Sequence, residues 1–140
     1  MAVDKGETVA LLPLDPDALA RQLQEEIRRI TGKTVAVIIN DSHGRPFREG
    51  TVGVAIGVAG PRPADDQRGR ADLSGYIVHA TMVGLADQLA AAASLVMGQT
   101  NEALPMVILR GIPYHPQEST SREMIRADLL TIPSHAPLPQ

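Results

Sequence analysis

A carboxylate and a hydroxyl follow one another where an apolar run of this sequence stops. The run at residues 34–40 reads TVAVIIN, and Asp41 and Ser42 come directly after it. Hard oxygen atoms of these two types are the ligands that Mg²⁺ and Mn²⁺ take in proteins, and the ends of strands are where open α/β sheets gather ligands. Asp and Ser are also frequent turn residues, because both side chains bond their own backbone. A metal site and a turn are therefore open alternatives.

Other polar residues close behind Asp41 widen the choice of ligands. Arg45 and Arg48 could hold a phosphate or a carboxylate through paired hydrogen bonds, although exposed arginines more often pair with neighbouring acids. The four histidines have no metal-ligand spacing, and only His43 lies in the same stretch. The segment GVAIGVAG at residues 53–60 has neither dinucleotide-binding nor P-loop spacing. Its glycines instead predict close backbone approach or a bulge.

Composition limits the class of protein. A chain of 140 residues is expected to form one domain, residues 1–140, around a single core. The net charge of -3 argues against a nucleic-acid partner, because binding a polyanion needs clustered Lys and Arg. With no Cys there is no disulfide or Cys-ligated zinc. The first residues do not resemble a secretory signal, and no apolar run has membrane-spanning length. We expect a cytoplasmic protein without a membrane partner.

The elements that must position these residues are indicated by periodicity and caps. A helix is predicted over residues 16–31, with Asp15 as its cap and Gly32 just beyond its end. A second helix is predicted over 80–97, and strands near 8–12, 34–40, 51–58 and 105–110. Residues 42–50 and 61–72 are typical of loops, residues 120–130 of a short helix, and the tail 131–140 of a disordered end. The predicted fold class is α+β, with the helices packed on a mixed β-sheet.

Five blocks of the chain, in order, resemble the carboxy-terminal half of the coenzyme F-420-0 gamma-glutamyl ligase family. They read LLPLDPDALARQL, VAVIINDSHGRPFREGTVGVAIGVAG, DQRGRADLSGYIV, LADQLAAAASLVMGQ and PMVILRG, and the resemblance covers about residues 6–128. It implies a GTP-dependent ligase that needs Mg²⁺ or Mn²⁺. In this family the γ-phosphoryl group of GTP passes to a carboxylate of the deazaflavin precursor, and the amine of L-glutamate attacks the acyl phosphate. The resemblance also implies a homodimer.

The resemblance assigns roles to particular residues. Asp41 matches a metal-binding aspartate, while Ser42 and Gln99 match positions that contact a second metal. Arg45 and Arg48 stay possible phosphate or substrate contacts, and no catalytic residue is assigned. The matched nucleotide-binding segment, residues 97–104, comprises Met97, Gly98, Gln99, Thr100, Asn101, Glu102, Ala103 and Leu104.

The sequence also departs from the family pattern. Tyr76 replaces an arginine and Gln88 replaces a glutamate. The blocks that belong to the amino-terminal half of the family are not found. Two hypotheses follow: a partial or split ligase domain that works with a separate amino-terminal half, and a non-catalytic metal- or nucleotide-binding or structural module that retains the fold.

Overall fold

The computed structural model describes residues 11–126 and confirms the α+β fold class. Helices α1 and α2 pack against a β-hairpin formed by β1 and β2, and three pairs of residues form short strands. Every described strand pairing is antiparallel, whereas we expected a mixed sheet. The bounds are α1 Pro16–Thr31, β1 Val37–Arg45, β2 Arg48–Pro61, β3 Asp65–Asp66, β4 Met82–Val83, α2 Leu85–Met97, β5 Pro116–Gln117 and a 3₁₀ helix Ser121–Met124.

Helix α1 has the bounds that its caps predict. The Asp15 carboxylate accepts a hydrogen bond from the Ala18 N–H at 2.8 Å, and Pro16 occupies the first turn, where its missing N–H costs nothing. At the other end Gly32 adopts φ 69° and donates its N–H to the Arg28 carbonyl. Local signals at both ends therefore define this helix.

The β1–β2 hairpin extends further toward its turn than we predicted, and β2 is longer at both ends, whereas β1 begins at Val37 instead of residue 34. Residues 42–50 were expected to be a loop, yet His43 pairs with Val52 and Arg45 pairs with Arg48, which leaves a turn of two residues. The glycines and the proline of this stretch are typical of a loop, but its backbone is extended because the two strands of the hairpin pair with each other. Asp41 and Ser42 consequently lie within β1 rather than after it, and the alternative that they are turn residues is wrong.

A bulge in β2 sets which side chains face each helix. Ile39 pairs with Gly57 and Asn40 pairs with Ala55, so Ile56 is an extra residue without a partner on β1. A β-carbon added at Gly57 would overlap the Pro16 carbonyl of α1. The adjacent Val58 is fully buried in a cluster with α2 residues Ala86 and Ala90. Neighbouring strand residues face opposite sides, so α1 and α2 cover opposite faces of the hairpin.

Close backbone contact between β2 and α2 depends on a second glycine. A β-carbon at Gly53 would lie 2.7 Å from the Ala90 carbonyl oxygen and 2.9 Å from Ser94 Cβ. The expectation of close backbone approach at these strand glycines is confirmed.

Two other predicted elements are shorter than expected. Helix α2 begins at Leu85 instead of residue 80, because Met82 and Val83 pair with Asp66 and Asp65. The predicted helix at 120–130 is a 3₁₀ helix over Ser121–Met124, closed by a capping box between Thr120 and Glu123. Residues 127–130 and the predicted disordered tail 131–140 lie outside the described residues.

The strand predicted at 105–110 is wrong for this chain. Residues 105–110 have no strand pairing with any other described residue, and most are exposed. Of the strand predicted at 8–12, Leu11 and Leu12 are not in a strand, and residues 8–10 lie outside the described range. In the described part of the chain, neither helix has the length and apolar character needed to cross a bilayer.

Candidate functional site

Ser42 and Gln99 meet although they lie far apart in the sequence. The Ser42 hydroxyl donates a hydrogen bond of 2.6 Å to Gln99 Oε1, across a separation of 57 residues. Ser42 is on β1, opposite Gly53, and Gln99 follows the end of α2 by two residues. Both are exposed to solvent. Two of the three residues predicted to contact metal therefore present oxygen atoms at one place.

Asn40 anchors the end of α2 close to Ser42. Its side-chain N–H₂ group donates to the Ala90 carbonyl at 3.2 Å and contacts Met97 Sδ at 3.7 Å. Asn40 lies two positions before Ser42 on the same face of β1, and Met97 lies two positions before Gln99. Asn40 Oδ1 is buried without a hydrogen-bond partner among the described residues. The side chain thus helps to set where Gln99 lies relative to Ser42, a role that the sequence did not reveal.

The predicted nucleotide-binding segment curls around its own glutamate. Gly98 ends α2 with φ 73° and ψ -174°, a backbone conformation that residues with a β-carbon rarely adopt. The Glu102 carboxylate accepts a hydrogen bond from the Thr100 N–H at 2.9 Å. Backbone hydrogen bonds from this loop, led by that of Thr100, lower the pKa of Glu102. Glu102 therefore stabilises the turn of the loop that directly follows Gln99.

Asp41 lies apart from the Ser42–Gln99 pair. Its carboxylate contacts His43 Nε2 at 3.3 Å, and these two residues share a face of β1 because they are two positions apart. Ser42 faces the other side of the strand. About a third of the Asp41 side chain is exposed, 31%, so it is open to a ligand. The structure therefore places the residue matched to a first metal and the pair matched to a second metal on different faces of β1.

The two candidate arginines lie at the tip of the hairpin. Arg45 pairs with Arg48 next to the turn, and its guanidinium donates to the Glu49 carbonyl at 3.4 Å. Arg45 lies three positions after Ser42 on β1, which is about 10 Å along the backbone. The arginines therefore flank the site without entering it.

An open cavity lies on another side of the hairpin. It measures about 370 Å³ and is lined by His43, Val54, Asp87 and Ser121, among others. The Asp87 carboxylate accepts a hydrogen bond from the Ala55 N–H at 3.0 Å, which joins α2 to the edge of β2. Neither Ser42 nor Gln99 lines this cavity. Its lining includes His43, which contacts Asp41, but no residue of the predicted site.

The chemistry of Ser42 and Gln99 suits a hard cation. A hydroxyl and an amide oxygen 2.6 Å apart are close to the spacing of about 3 Å between adjacent ligands of octahedral Mg²⁺. Within residues 11–126 no group of three His, Asp or Glu side chains could hold a metal ion. A cation at this point would accordingly complete its coordination with oxygen atoms of water or of a bound phosphate.

The two departures from the family pattern lie away from the Ser42–Gln99 contact. Tyr76 stacks edge-on against His79 at 5.7 Å, and its N–H bonds to Asp72 Oδ1. Hydrogen bonds from Ser74 and Tyr76 lower the pKa of Asp72 in the same turn. Gln88 is exposed in the first turn of α2. Neither substitution changes a residue that contacts Ser42 or Gln99.

Comparison with known proteins gives a consistent result. The sequence model described as F420-0:Gamma-glutamyl ligase matches residues 2–111. Several relatives carry the name coenzyme F420:L-glutamate ligase, and three of them illustrate the similarity. The protein of Methanococcus maripaludis strain C7 is 50% identical over 127 residues, which is 89% of this chain and 51% of the relative. That of Methanothermobacter thermautotrophicus is 54% identical over 112 residues, 80% of this chain and 44% of the relative. That of Archaeoglobus fulgidus is 44% identical over 110 residues, which is 79% of this chain and 44% of the relative.

The chain thus spans about half the length of the curated relatives it matches. The matched family model covers most of this chain, including β1, β2, α2 and the Ser42–Gln99 pair. By sequence, the chain belongs to the F420-0:gamma-glutamyl ligase family.

Proposed function

We propose that this chain supplies the metal- and nucleotide-binding part of a GTP-dependent ligase that adds L-glutamate to the deazaflavin precursor of coenzyme F-420. The observation that carries the proposal is the contact between Ser42 and Gln99, 2.6 Å apart in space and 57 residues apart in sequence. Family membership supports the reaction class, and the oxygen donors support a divalent cation at that position.

The reaction needs positioning and charge neutralisation more than a protein nucleophile. GTP gives its γ-phosphoryl group to the precursor carboxylate, GDP leaves, and the glutamate amine displaces phosphate to form the amide bond. Bound Mg²⁺ or Mn²⁺ supplies charge neutralisation on the phosphate oxygens. Asp41, Ser42 and Gln99 would hold the ions, and the absence of Cys from the chain is no obstacle.

The residues around that pair have matching tasks in the proposal. Residues 97–104 would contact the nucleotide, and the Thr100 N–H, now bonded to Glu102, is a donor suited to a phosphate oxygen. Arg45 and Arg48 at the hairpin tip would attract the anionic substrates. We further propose a cytoplasmic homodimer, which sedimentation at high micromolar concentration tests directly: a monomer alone would contradict it.

The second candidate function is a non-catalytic metal- or nucleotide-binding or structural module. The observation that favours it is that the chain spans about half of its relatives. The ligase and a metal-binding module would both bind metal at Ser42 and Gln99 and would differ in catalysis, whereas a purely structural module would bind no metal there.

Ligand-dependent stability tests the metal and nucleotide site. Mn²⁺ with GTP should raise the melting temperature, because a ligand at 100 times its Kd stabilises the native state by about 2.7 kcal/mol. Asp41→Asn and Ser42→Ala should reduce that rise. Ser74→Ala, which removes an exposed hydroxyl in the turn held by Asp72, is the matched control and should keep it. Equal shifts in all four proteins would contradict the proposed site.

A glutamylation assay separates the two candidate functions. This chain alone should form no gamma-glutamyl product from GTP, Mn²⁺, L-glutamate and the precursor, because orienting the reactants can contribute about 7 to 11 kcal/mol and needs both halves of the site. Product detected by mass only after a separate amino-terminal half is added would support the split ligase. No product in either mixture would favour the non-catalytic module, and rapid turnover by the chain alone would refute the need for a second half.

A further inference from the structure

Residues 103–112, which we call the docking segment, are apolar and exposed. Met106 and Ile108 are 68% and 72% exposed. The side chains of a segment with such composition, ALPMVILRGI, are normally buried in a strand. Exposed apolar residues are ordinary when they are scattered, but a contiguous run marks an interaction surface. The exposed members are Leu104, Met106, Ile108, Leu109 and Ile112.

The backbone of the docking segment is not paired with any described part of the chain. Among the described residues, none forms a backbone hydrogen bond with residues 103–112. Pairing resumes only at Pro116 and Gln117, which bond to the end of β2. A partner could therefore add a strand along this segment, with main-chain bonds supplying affinity and side-chain pockets supplying specificity.

Within residues 11–126, no helix or strand is left over to cover the docking segment. Helices α1 and α2 already cover the two faces of the β1–β2 hairpin. In an extended segment, Met106 and Ile108 would point to one side and Leu109 to the other. All three are exposed, so a partner would have to bury both sides of the segment. A second copy paired about a two-fold axis would add one strand at one edge and leave the faces exposed. A binding partner must therefore supply both a strand that pairs with the docking segment and a layer of side chains that covers its faces.

The relatives contain additional chain of the required size. The matched regions amount to 51% and 44% of the relatives from Methanococcus maripaludis and Methanothermobacter thermautotrophicus. These matches extend over 127 and 112 residues, so a comparable length of polypeptide lies outside each of them. A unit of that size can supply both a strand and a covering layer.

We infer that the docking segment binds the part of the ligase fold that the relatives possess outside the matched region, whether in the same polypeptide or in a separate one. The inference rests on the proposed function, because the occupant is the other half of the same enzyme. The docking segment overlaps the nucleotide-binding segment at Ala103 and Leu104, just after Glu102. Docking therefore orders the loop that begins at Gln99 and joins the two halves of the site.

Co-expression of this chain with the unmatched part of the Methanococcus maripaludis relative tests the inference. A one-to-one complex should form, and hydrogen exchange at the amides of 105–110 should slow by at least a hundredfold. The double substitution Met106→Glu and Ile108→Glu should weaken the complex by at least a hundredfold. Leu73→Glu, at a fully exposed apolar residue far along the chain from the docking segment, is the control and should leave binding unchanged.

Three results would overturn the inference. They are protection of 105–110 by this chain alone in a concentration-dependent dimer, a complex that tolerates the double substitution, and no complex at all. If the unmatched part is insoluble by itself, joining it to this chain through a flexible linker allows the same exchange measurement. Because the assay contains neither metal nor GTP, its failure is distinguishable from failure of the proposed nucleotide site.

Discussion

The β1–β2 hairpin and the docking segment have similar side chains in opposite surroundings. Val58 of the hairpin is packed against α2 and is 0% exposed, whereas Ile108 of the docking segment is largely exposed. Hairpin residues are paired along nearly their whole length, and the docking segment is paired with no described residue. Apolar composition therefore indicates that a segment is to be buried, but does not identify what buries it.

The difference has an energetic basis. Burying a Val or Ile side chain contributes about 1.5 to 3 kcal/mol, and that contribution is available in the hairpin because α1 and α2 lie close to it. No described element covers the docking segment, so in our proposal that contribution comes from the partner. Folding of the hairpin and binding at the docking segment are therefore separable, and substitutions in the two regions should have different consequences.

The largest loss of stability is expected where the hairpin touches α2. Gly53→Val should cost about 3 kcal/mol or more, because its β-carbon would lie 2.7 Å from a backbone carbonyl that cannot rotate away. Gly44→Val is the matched control in the same hairpin, since no atom lies within 4 Å of a β-carbon there. Urea unfolding followed by circular dichroism measures both. Equal stability of the two variants would show that the hairpin and α2 are not packed as described.

A smaller loss is expected at the junction of the hairpin, α1 and the 3₁₀ helix. Asp17 Oδ1 accepts hydrogen bonds from the N–H groups of Val58 at 2.8 Å and Ser121 at 2.9 Å. Asp17→Ala should cost about 2 to 4 kcal/mol, because the donors at this buried carboxylate lose their acceptor.

Asp17→Asn retains one side-chain oxygen and is the control for that effect. It should lose less free energy of unfolding than Asp17→Ala in the same denaturant titration. A larger loss for Asn than for Ala would mean that the carboxylate does not join these elements.

The docking segment should tolerate a change that the hairpin does not. Ile108→Ser should alter the free energy of unfolding of this chain by no more than about 0.5 kcal/mol, as is usual for exposed positions. Ile38→Ser, which affects a residue packed on the core cluster, should cost about 2 kcal/mol or more. Comparable losses at the two isoleucines would show that the docking segment is already buried, and would remove the contrast between the regions.

The smallest effect concerns the loop between the two regions. Backbone donors led by Thr100 lower the pKa of Glu102 from 4.5, so the charged form is favoured in the folded loop. The charged Glu102 carboxylate therefore stabilises the folded loop at pH values above the pKa of the unfolded chain. This stabilisation is lost as the pH falls through the lower pKa of the folded loop. A carbon-13 titration of the carboxyl group should give a midpoint below 4.5, and a midpoint at or above that value would mean that Glu102 does not close the loop.

Local features of the fold were predictable from the sequence, and long-range ones were not. Helix α1 was predicted because Asp15, Pro16 and Gly32 specify both of its ends. The hairpin tip was missed because glycine and proline indicate a loop unless the partner arm is known. The strand at 105–110 was predicted wrongly because a strand needs a partner, and composition alone does not provide one.

The candidate site divides in the same way. Spacing could not bring together Ser42 and Gln99, which are 57 residues apart, and only the family resemblance associated them. Asp41 was recognised as a polar residue next to an apolar run, but its placement at a strand end was wrong. Asn40 was missed, although its position two residues before Ser42 on the same face was the available signal.

Paramagnetic broadening by Mn²⁺ tests the proposed site most directly. In amide spectra of this chain recorded with GTP, substoichiometric Mn²⁺ should broaden the signals of Asp41, Ser42 and Gln99 first, because broadening falls steeply with distance from the ion. Ser42→Ala should weaken the broadening at Gln99, while signals of the α1 amides should stay sharp in both proteins. Broadening centred on the acidic pair Asp65 and Asp66, or none under conditions where GTP binds, would contradict a metal site at Ser42 and Gln99.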